Sequence, residues 1–345
     1  MFLLIAEGTQ LFSAMGSPEF EGTLVGFVGT QLHHHPWHGL RFWDLIQPFF
    51  MFIVGVALPF SVKNRLSKGD SHSTILKHVL IRSFLLLLFG WGLYCIGPGK
   101  ITFRFQNVLA QLSVTYLIAY LIMNRSFSIQ FGISILLLVL TDVLYRIFPV
   151  EGFNQAYTAG MNFGAFVDMK ISGELSGGHW VSFNAIPTAA HTIWGVLVAQ
   201  WLMTDKSHQQ KFKMMLVAGL AAVIAGYALD LWIPIVKRIA TASFVVVTGG
   251  WCVLALAFSY WLIDIKKFTK GVLFFSIVGM NSLFIYLFTE LGGGGFMYRI
   301  AKPFVGALFG WTGELYAQML TGMAAWLMLW YLCYWLYKRE IWIKL

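Results

Sequence analysis

FWDLIQPFFMFIVGVALPFS, residues 42–61, carries one charged side chain, Asp44, followed by an almost unbroken apolar run. About 20 apolar residues are what a helix needs to cross the hydrocarbon core of a bilayer. Lipid admits only helices or closed barrels, because every N–H and C=O must find its partner inside the protein. The run has no period-2 alternation, which argues a helix. Comparable stretches recur and give ten expected spans: 1–15, 42–62, 79–97, 107–123, 128–148, 184–203, 213–232, 241–263, 272–291 and 313–337. The first is short for a span, so the expectation is a helix truncated at its cytoplasmic end or a start that is not the natural one. PFVGALFGW at 303–311 reads as a half-helix or re-entrant piece. GGGG at 292–295 reads as a flexible turn or a point of close backbone approach, since glycine is a poor helix former. Together these predict an all-α, polytopic membrane bundle of about ten transmembrane helices. It forms a single domain over 1–345, with extracytoplasmic loops at 16–41 and 149–183.

Composition agrees with that class. The 345 residues are 58% hydrophobic and 11% charged, against roughly 25% charged for a soluble domain. Mean hydropathy is +0.71. The formal net charge of +9 does not point to nucleic acid, because the cations sit in short loops between apolar runs, as the positive-inside rule expects. With the N-terminal end placed in the cytoplasm, fifteen Lys and Arg fall inside, among them Lys63, Arg65, Lys206, Lys266 and Lys344, and nine fall outside, among them Lys237 and Arg238. Both termini are then cytoplasmic. Cys95, Cys252 and Cys333 lie in apolar runs and form no disulfide or zinc pattern.

Ionisable and polar groups at membrane depth are costly and therefore functional candidates. Asp44 opens the second span, Asn281 sits in the middle of the ninth, Glu7 lies in the first and Glu290 at the outer end of the ninth. Arg82 reads as a snorkelling cation, and Asp142, Asp230 and Asp264 as solvated span ends. His33, His34, His35 and His38 crowd into QLHHHPWHGLRFWDL, residues 31–45. Three readings stand for them: a metal site, which adjacent histidines serve poorly; an interfacial belt with Trp37 and Trp43; or a base that takes a proton near neutral pH. Composition does not choose among them.

Longer blocks do. HHPWHGLRFWDLIQPFFMFIVGVALPFS, RFQNVLAQLSVTYLIAY, NAIPTAAHTIWGVLVAQ, PIVKRIATASFVVVTGGWCVLALAFSYWLID and FFSIVGMNSLFIYLFTEL, with the tail YKREIWIKL, follow one another in the chain. In that order they resemble the conserved blocks of the membrane acyltransferases related to heparan-alpha-glucosaminide N-acetyltransferase, and in particular their bacterial homologues. The resemblance implies transfer of an acetyl group from cytosolic acetyl-CoA to an amino sugar or glycan outside the cytoplasm, in a bacterial cytoplasmic membrane. It places the catalytic histidine, three residues before the Trp of the first block, at His34. Asp44 would orient that ring and Asn281 would donate to the developing oxyanion. Lys63, Arg65, Lys206 and Lys266 would attract the phosphates of the acetyl-CoA donor. Trp37, His179, Trp180 and Glu290 would line the acceptor entrance. No metal is expected, and association of two copies is left open. The sequence departs from the pattern in three places. The charged segment before the first helix is missing. The family's Gln-Arg pair reads Ala110-Gln111. An Asn eleven residues before the histidine has no counterpart, Glu7 being the nearest polar group. A transporter or flippase for a glycan or lipid-linked sugar is the alternative, and a member that binds acyl-CoA without turnover is a third reading.

Overall fold

The computed structural model describes residues 1–343; Lys344, counted above among the inner cations, lies outside them. Fifteen α-helices form among the described residues: α1 Leu4–Glu7, α2 Leu11–Met15, α3 Leu24–Gln31, α4 Ile46–Ser67, α5 His72–Ile96, α6 Val108–Ile122, α7 Phe127–Ile147, α8 Phe163–Ser172, α9 Ala185–Leu202, α10 His208–Leu229, α11 Ala242–Tyr260, α12 Val272–Met280, α13 Ser282–Glu290, α14 Gly293–Phe309 and α15 Glu314–Lys338. No strand forms among these residues, and the one extended pairing is an isolated antiparallel bridge between His38 and Val236. Loop 16–41 contains α3, and loop 149–183 contains α8.

This is a helical membrane protein. Six helices are long and apolar enough to cross a bilayer: Phe42–Ser67, His72–Ile96, Phe127–Ile147, His208–Leu229, Ala242–Ile265 and Glu314–Lys338. The expected ten is not reached, for identifiable reasons. Residues 1–15 break at Gly8–Gln10, where Gln10 takes a left-handed φ of 63°. The expected span 272–291 divides at Asn281, and the pair Val272–Met280 and Ser282–Thr312 is bent by 70° there. Helix α6 has only 15 residues. Helix α9 is the most instructive case. Its polar groups answer to protein: Thr188 Oγ1 donates to Asn184 O at 2.5 Å, His191 Nε2 lies 2.9 Å from Thr248 Oγ1, and Gln200 Nε2 donates to Met123 O at 2.6 Å. A helix enclosed by other helices does not have to be apolar all round, whereas α5, α7 and α10 keep most of their surface outward and must be.

Of the two readings of the glycine run, close backbone approach is the one that the structure shows. Gly292 takes φ 93° and caps the start of α14, which begins at Gly293. A Cβ on Gly294 would lie 2.6 Å from the Gly8 carbonyl carbon and oxygen. Gly294 lies in the helix where backbone must pass this close to backbone, a need that outweighs its poor helix propensity.

The described residues gather into two compact units. One holds Met1–His34, Arg41–Trp43 and the chain from Phe268 onward; the other holds His35–Leu40 and Asp44–Lys267. In the first, α1 packs with α12, α13 and α15 around Ile5, Ile277, Ile285, Leu329 and Cys333. In the second, α4 to α7 and α9 to α11 form the bundle, with α9 against α4, α6 and α7. The α4–α9 crossing is close at reciprocal glycines. A Cβ on Gly55 would sit 2.0 Å from Thr192 O, and one on Gly195 would sit 2.1 Å from Phe52 O. Gly55→Ala should therefore force the helices apart and destabilise the protein by about 1–3 kcal/mol, read as an earlier midpoint in SDS-titrated unfolding; an unchanged midpoint would contradict the close crossing.

Helix pairing gives the second unit two distinct ends. At one, Gln130 and Gln200 bond across α7 and α9 at 3.2 Å, and His208 meets Tyr260 OH at 2.5 Å, which gathers the ends of α4, α6, α9 and α11 with the starts of α5, α7 and α10. At the other, Gln47 donates to Gln111, Gln106 donates to Asp168 at 3.1 Å and Asn184 Nδ2 donates to Arg238 O at 2.9 Å. The 22-residue α4 separates them by about 33 Å at 1.5 Å per residue.

Candidate functional site

Asp44 sits just before α4 and is completely buried. The backbone N–H of His35 donates to its Oδ2 at 3.1 Å, and Lys237 Nζ lies 3.5 Å from its Oδ1 with the Lys side chain only 6% exposed. A carboxylate and an ammonium both out of water must be paired, since either alone would carry a large desolvation cost. The turn that presents Lys237 is itself specified locally. Val236 N–H donates to Thr241 Oγ1 at 3.0 Å, Thr241 Oγ1 donates to Pro234 O at 2.7 Å, and Ala240 takes φ 47°. Gly39 N–H donates to Ile235 O at 2.9 Å, tying the histidine-rich segment to that turn. Gly39 is needed there: its φ is 139°, and a Cβ would lie 2.6 Å from the His35 ring. His38 Nε2 meets Asp230 Oδ1 at 2.8 Å, so Asp230, expected to be only a solvated span end, is paired.

Beside this pair lies an aromatic and cationic wall. Lys237 Nζ sits 5.4 Å from the Trp180 ring centroid and Arg238 Cζ sits 5.6 Å from it. Arg238 also donates to Gly178 O at 2.7 Å. Trp37 Nε1 donates to Tyr157 O at 2.8 Å, and its ring meets His179 edge to face at 6.3 Å. His179 adopts φ 58°. The sequence-predicted Trp37, His179 and Trp180 thus meet at the Asp44 end of the second unit. Along the same end, Arg104 pairs with Glu174 at 3.0 Å, and Asp168 accepts from Gln106 and from the Ser182 backbone at 3.2 Å. Several buried polar atoms here have no protein partner: Arg104 Nε, Gln106 Oε1, His179 Nδ1, Asn184 Oδ1 and Arg238 Nε. Buried groups of this kind require hydrogen bonds, so this end suits a polar small molecule or ordered water.

Burial holds the Asp168 carboxyl above its usual 3.8, against the lowering effect of its bonds to Gln106 and Ser182. The folded chain therefore binds this proton more tightly than the unfolded chain. The contribution to stability is full below pH 3.8 and is lost as pH rises from there through the folded value. Asp168→Asn has no proton to lose, and Gln106 can turn its amide to accept from the new one. In hydrogen exchange above pH 4, the variant should keep α8 amides better protected than the parent, by a margin that grows with pH; equal protection at every pH would contradict the burial effect.

The remaining expected residues fall elsewhere. Lys63, Lys206 and Lys266 are exposed at the opposite end of the second unit, with Arg65 half-buried beside them. Arg65 pairs with Asp70 at 3.3 Å, and Lys266 Nζ lies 5.7 Å from the Trp261 ring centroid. His34, Glu290 and Asn281 belong to the first unit. His34 is half-buried, and its carbonyl accepts from Arg41 at 3.1 Å. Glu7 accepts from Trp43 Nε1 at 3.2 Å, and Glu290 lies beside Glu7 and Tyr286. Asn281 is fully buried at the helix break. Its Nδ2 donates to Ile341 O at 3.0 Å and its Oδ1 accepts from Ile343 N at 2.9 Å, so its amide holds the C-terminal segment.

One feature escaped sequence reading, and another was noted without its partners. Lys237 appeared only as one of the outer cations, although a Lys set two residues past Ile235 in an apolar turn was a signal for a buried partner. Gln111 accepts from Gln47 and donates to Gln106 O at 2.9 Å, so this position carries a neutral hydrogen-bond network.

Fold and site together define a polytopic helical membrane protein with a buried acid–base pair at one end of its larger unit. No protein-family model matches the chain. The heparan-alpha-glucosaminide N-acetyltransferases of Mus musculus and Homo sapiens are each 37% identical to it over 92 residues, covering 25% of this chain and 14% of the relative. The chain is thus similar to a small part of these relatives.

Proposed function

We propose that the protein is a transmembrane acetyltransferase that moves an acetyl group from cytosolic acetyl-CoA to an amino sugar or glycan on the far side of a bacterial cytoplasmic membrane. The observation that carries this reading is the double hold on Asp44. One carboxylate oxygen grips the backbone of His35, the residue that follows His34, and the other faces Lys237. The segment that follows the candidate base is thereby held to the helix bundle of its own unit, and a held segment is what general base catalysis requires. The similarity to the acetyltransferases, though partial, supports the same chemistry.

In this reading the end bearing Lys63, Arg65, Lys206 and Lys266 faces the cytoplasm, as the charge count expects, and attracts the phosphates of acetyl-CoA. The opposite end takes the sugar, with Trp180 and Trp37 as stacking surfaces and the unpartnered polar atoms as hydrogen-bonding positions. His34 removes a proton from the acceptor amine or hydroxyl as it attacks the thioester carbonyl. The C–S bond then breaks and CoA leaves as the thiol. A histidine that carries the acetyl group transiently would reach the same products. Asp44 acts as a positioning residue. Asn281 would support the site by ordering the C-terminal segment.

Protein reconstituted in vesicles and given acetyl-CoA should release free CoA thiol only when glucosamine or a glucosamine-terminated oligosaccharide is supplied. Movement of a labelled sugar across the membrane without thiol release would replace this reading with that of a transporter or flippase.

A further inference from the structure

A second surface lies in the first unit. Helices α14 and α15 leave a cavity of about 600 Å³ lined by Met297, Leu327, Trp330, Tyr331 and Trp335 with two neighbours, none of them charged. Its volume falls in the range of small-molecule sites. Leu327, Tyr331 and Trp335 are 58%, 61% and 45% exposed, and their four-residue spacing places them on one face of α15. The next position in that series is Arg339. Its Cζ lies 6.0 Å from the Trp335 ring centroid, and Lys338 Nζ lies 5.6 Å from that of Tyr334. Both cations are exposed, and with Glu340 beside them the helix end keeps a net positive charge.

We propose that this groove seats an acyl chain of an anionic phospholipid, with its phosphodiester held by Arg339 and Lys338. The apolar channel leads toward the cations along a single helix face, so one amphiphile fits both parts. Cations at a membrane-facing helix end attract anionic headgroups, and Arg binds a phosphate in two-pronged geometry. A second copy of the chain fits less well. Two copies in one bilayer share their orientation, and a two-fold axis along the membrane normal would bring four like cations to the same depth.

The test is native mass spectrometry of protein released from nanodiscs of phosphatidylcholine and phosphatidylglycerol in equal amounts. The expected result is one retained phosphatidylglycerol and little phosphatidylcholine. Arg339→Gln with Lys338→Gln should lower phosphatidylglycerol retention about 30-fold, from roughly a factor of five per cation. Leu327→Trp, which fills the channel and leaves the cations in place, should lower retention of the same lipid by a separate route. A thermal midpoint equal to the parent's shows that each variant is folded. Equal retention of the two lipids, retention unaffected by both changes, or a dimer that covers this face would overturn the proposal.

Discussion

His34→Ala is expected to lower acetyl-CoA-dependent release of CoA thiol by about 100-fold or more, the contribution typical of a well-placed general base. Loss of a covalent acetyl carrier would give a larger effect, because it removes the route as well as the base. The fold should survive. The side chain is only half-buried, and the hydrogen bond from Arg41 to the His34 backbone carbonyl is kept by the substitution. His33→Ala provides the comparison. His33 Nδ1 bonds Gly29 O at 2.7 Å in the preceding helix, so its removal should loosen that helix end and leave turnover within a few-fold of the parent. Thiol release should be measured for both variants at saturating acetyl-CoA and acceptor. A His34→Ala protein with parental turnover would remove the histidine from the chemistry and return the cluster to an interfacial role.

Lys237→Met should destabilise the protein by about 3–5 kcal/mol, the cost of removing one member of a buried ion pair. Asp44 is fully buried and the Lys side chain is 6% exposed, so water cannot substitute for the ammonium. Replacing both members is a different experiment. Asp44→Asn combined with Lys237→Met removes both charges of this pair together, and an Asn oxygen can still accept from His35 N–H, so most of the lost stability should return. SDS-titrated unfolding of the parent, both single variants and the double variant forms a complete cycle. Additive losses in that cycle would mean that the pair is not coupled. If Asp44 positions the histidine segment, the double variant should also regain stability without regaining full turnover. That separates its part in the fold from its part in the chemistry.

Most of the bundle was legible in the sequence. Residues 42–62, 128–148, 241–263 and 313–337 were expected as helices and were found as α4, α7, α11 and α15 with small shifts at the ends. Long apolar runs announce themselves because lipid tolerates nothing else, and the basic loops follow from the cost of moving cations across a bilayer. The miscounts have separate causes, and α9 shows one of them. Hydropathy reports the solvent a helix faces, and α9 faces protein, so its His, Thr and Gln reflect internal partners. At Asn281 the amide that looked like an intrahelical polar residue marks the end of one helix and the anchor of a distant segment. The glycines at 292–295 admitted either a turn or a close backbone approach, and only the packing of Gly294 against Gly8 shows which applies.

The candidate site divides along the same line. Asp44, Trp37, His179 and Trp180 stood out because polar and aromatic side chains are conspicuous in so apolar a chain. Their partners did not. That Asp44 faces Lys237 from a turn almost two hundred residues later, or that Arg238 shares the face of Trp180, cannot be read from spacing, since the two segments meet only after the helices between them have packed. By itself the sequence determined that this chain lives in a membrane as helices and where its unusual polar groups lie, because the energy of moving side chains into lipid acts on each segment alone. Which of those groups pair, and at which end of the bundle, was decided only by tertiary structure, because buried charge pairing depends on atoms that the chain order keeps far apart.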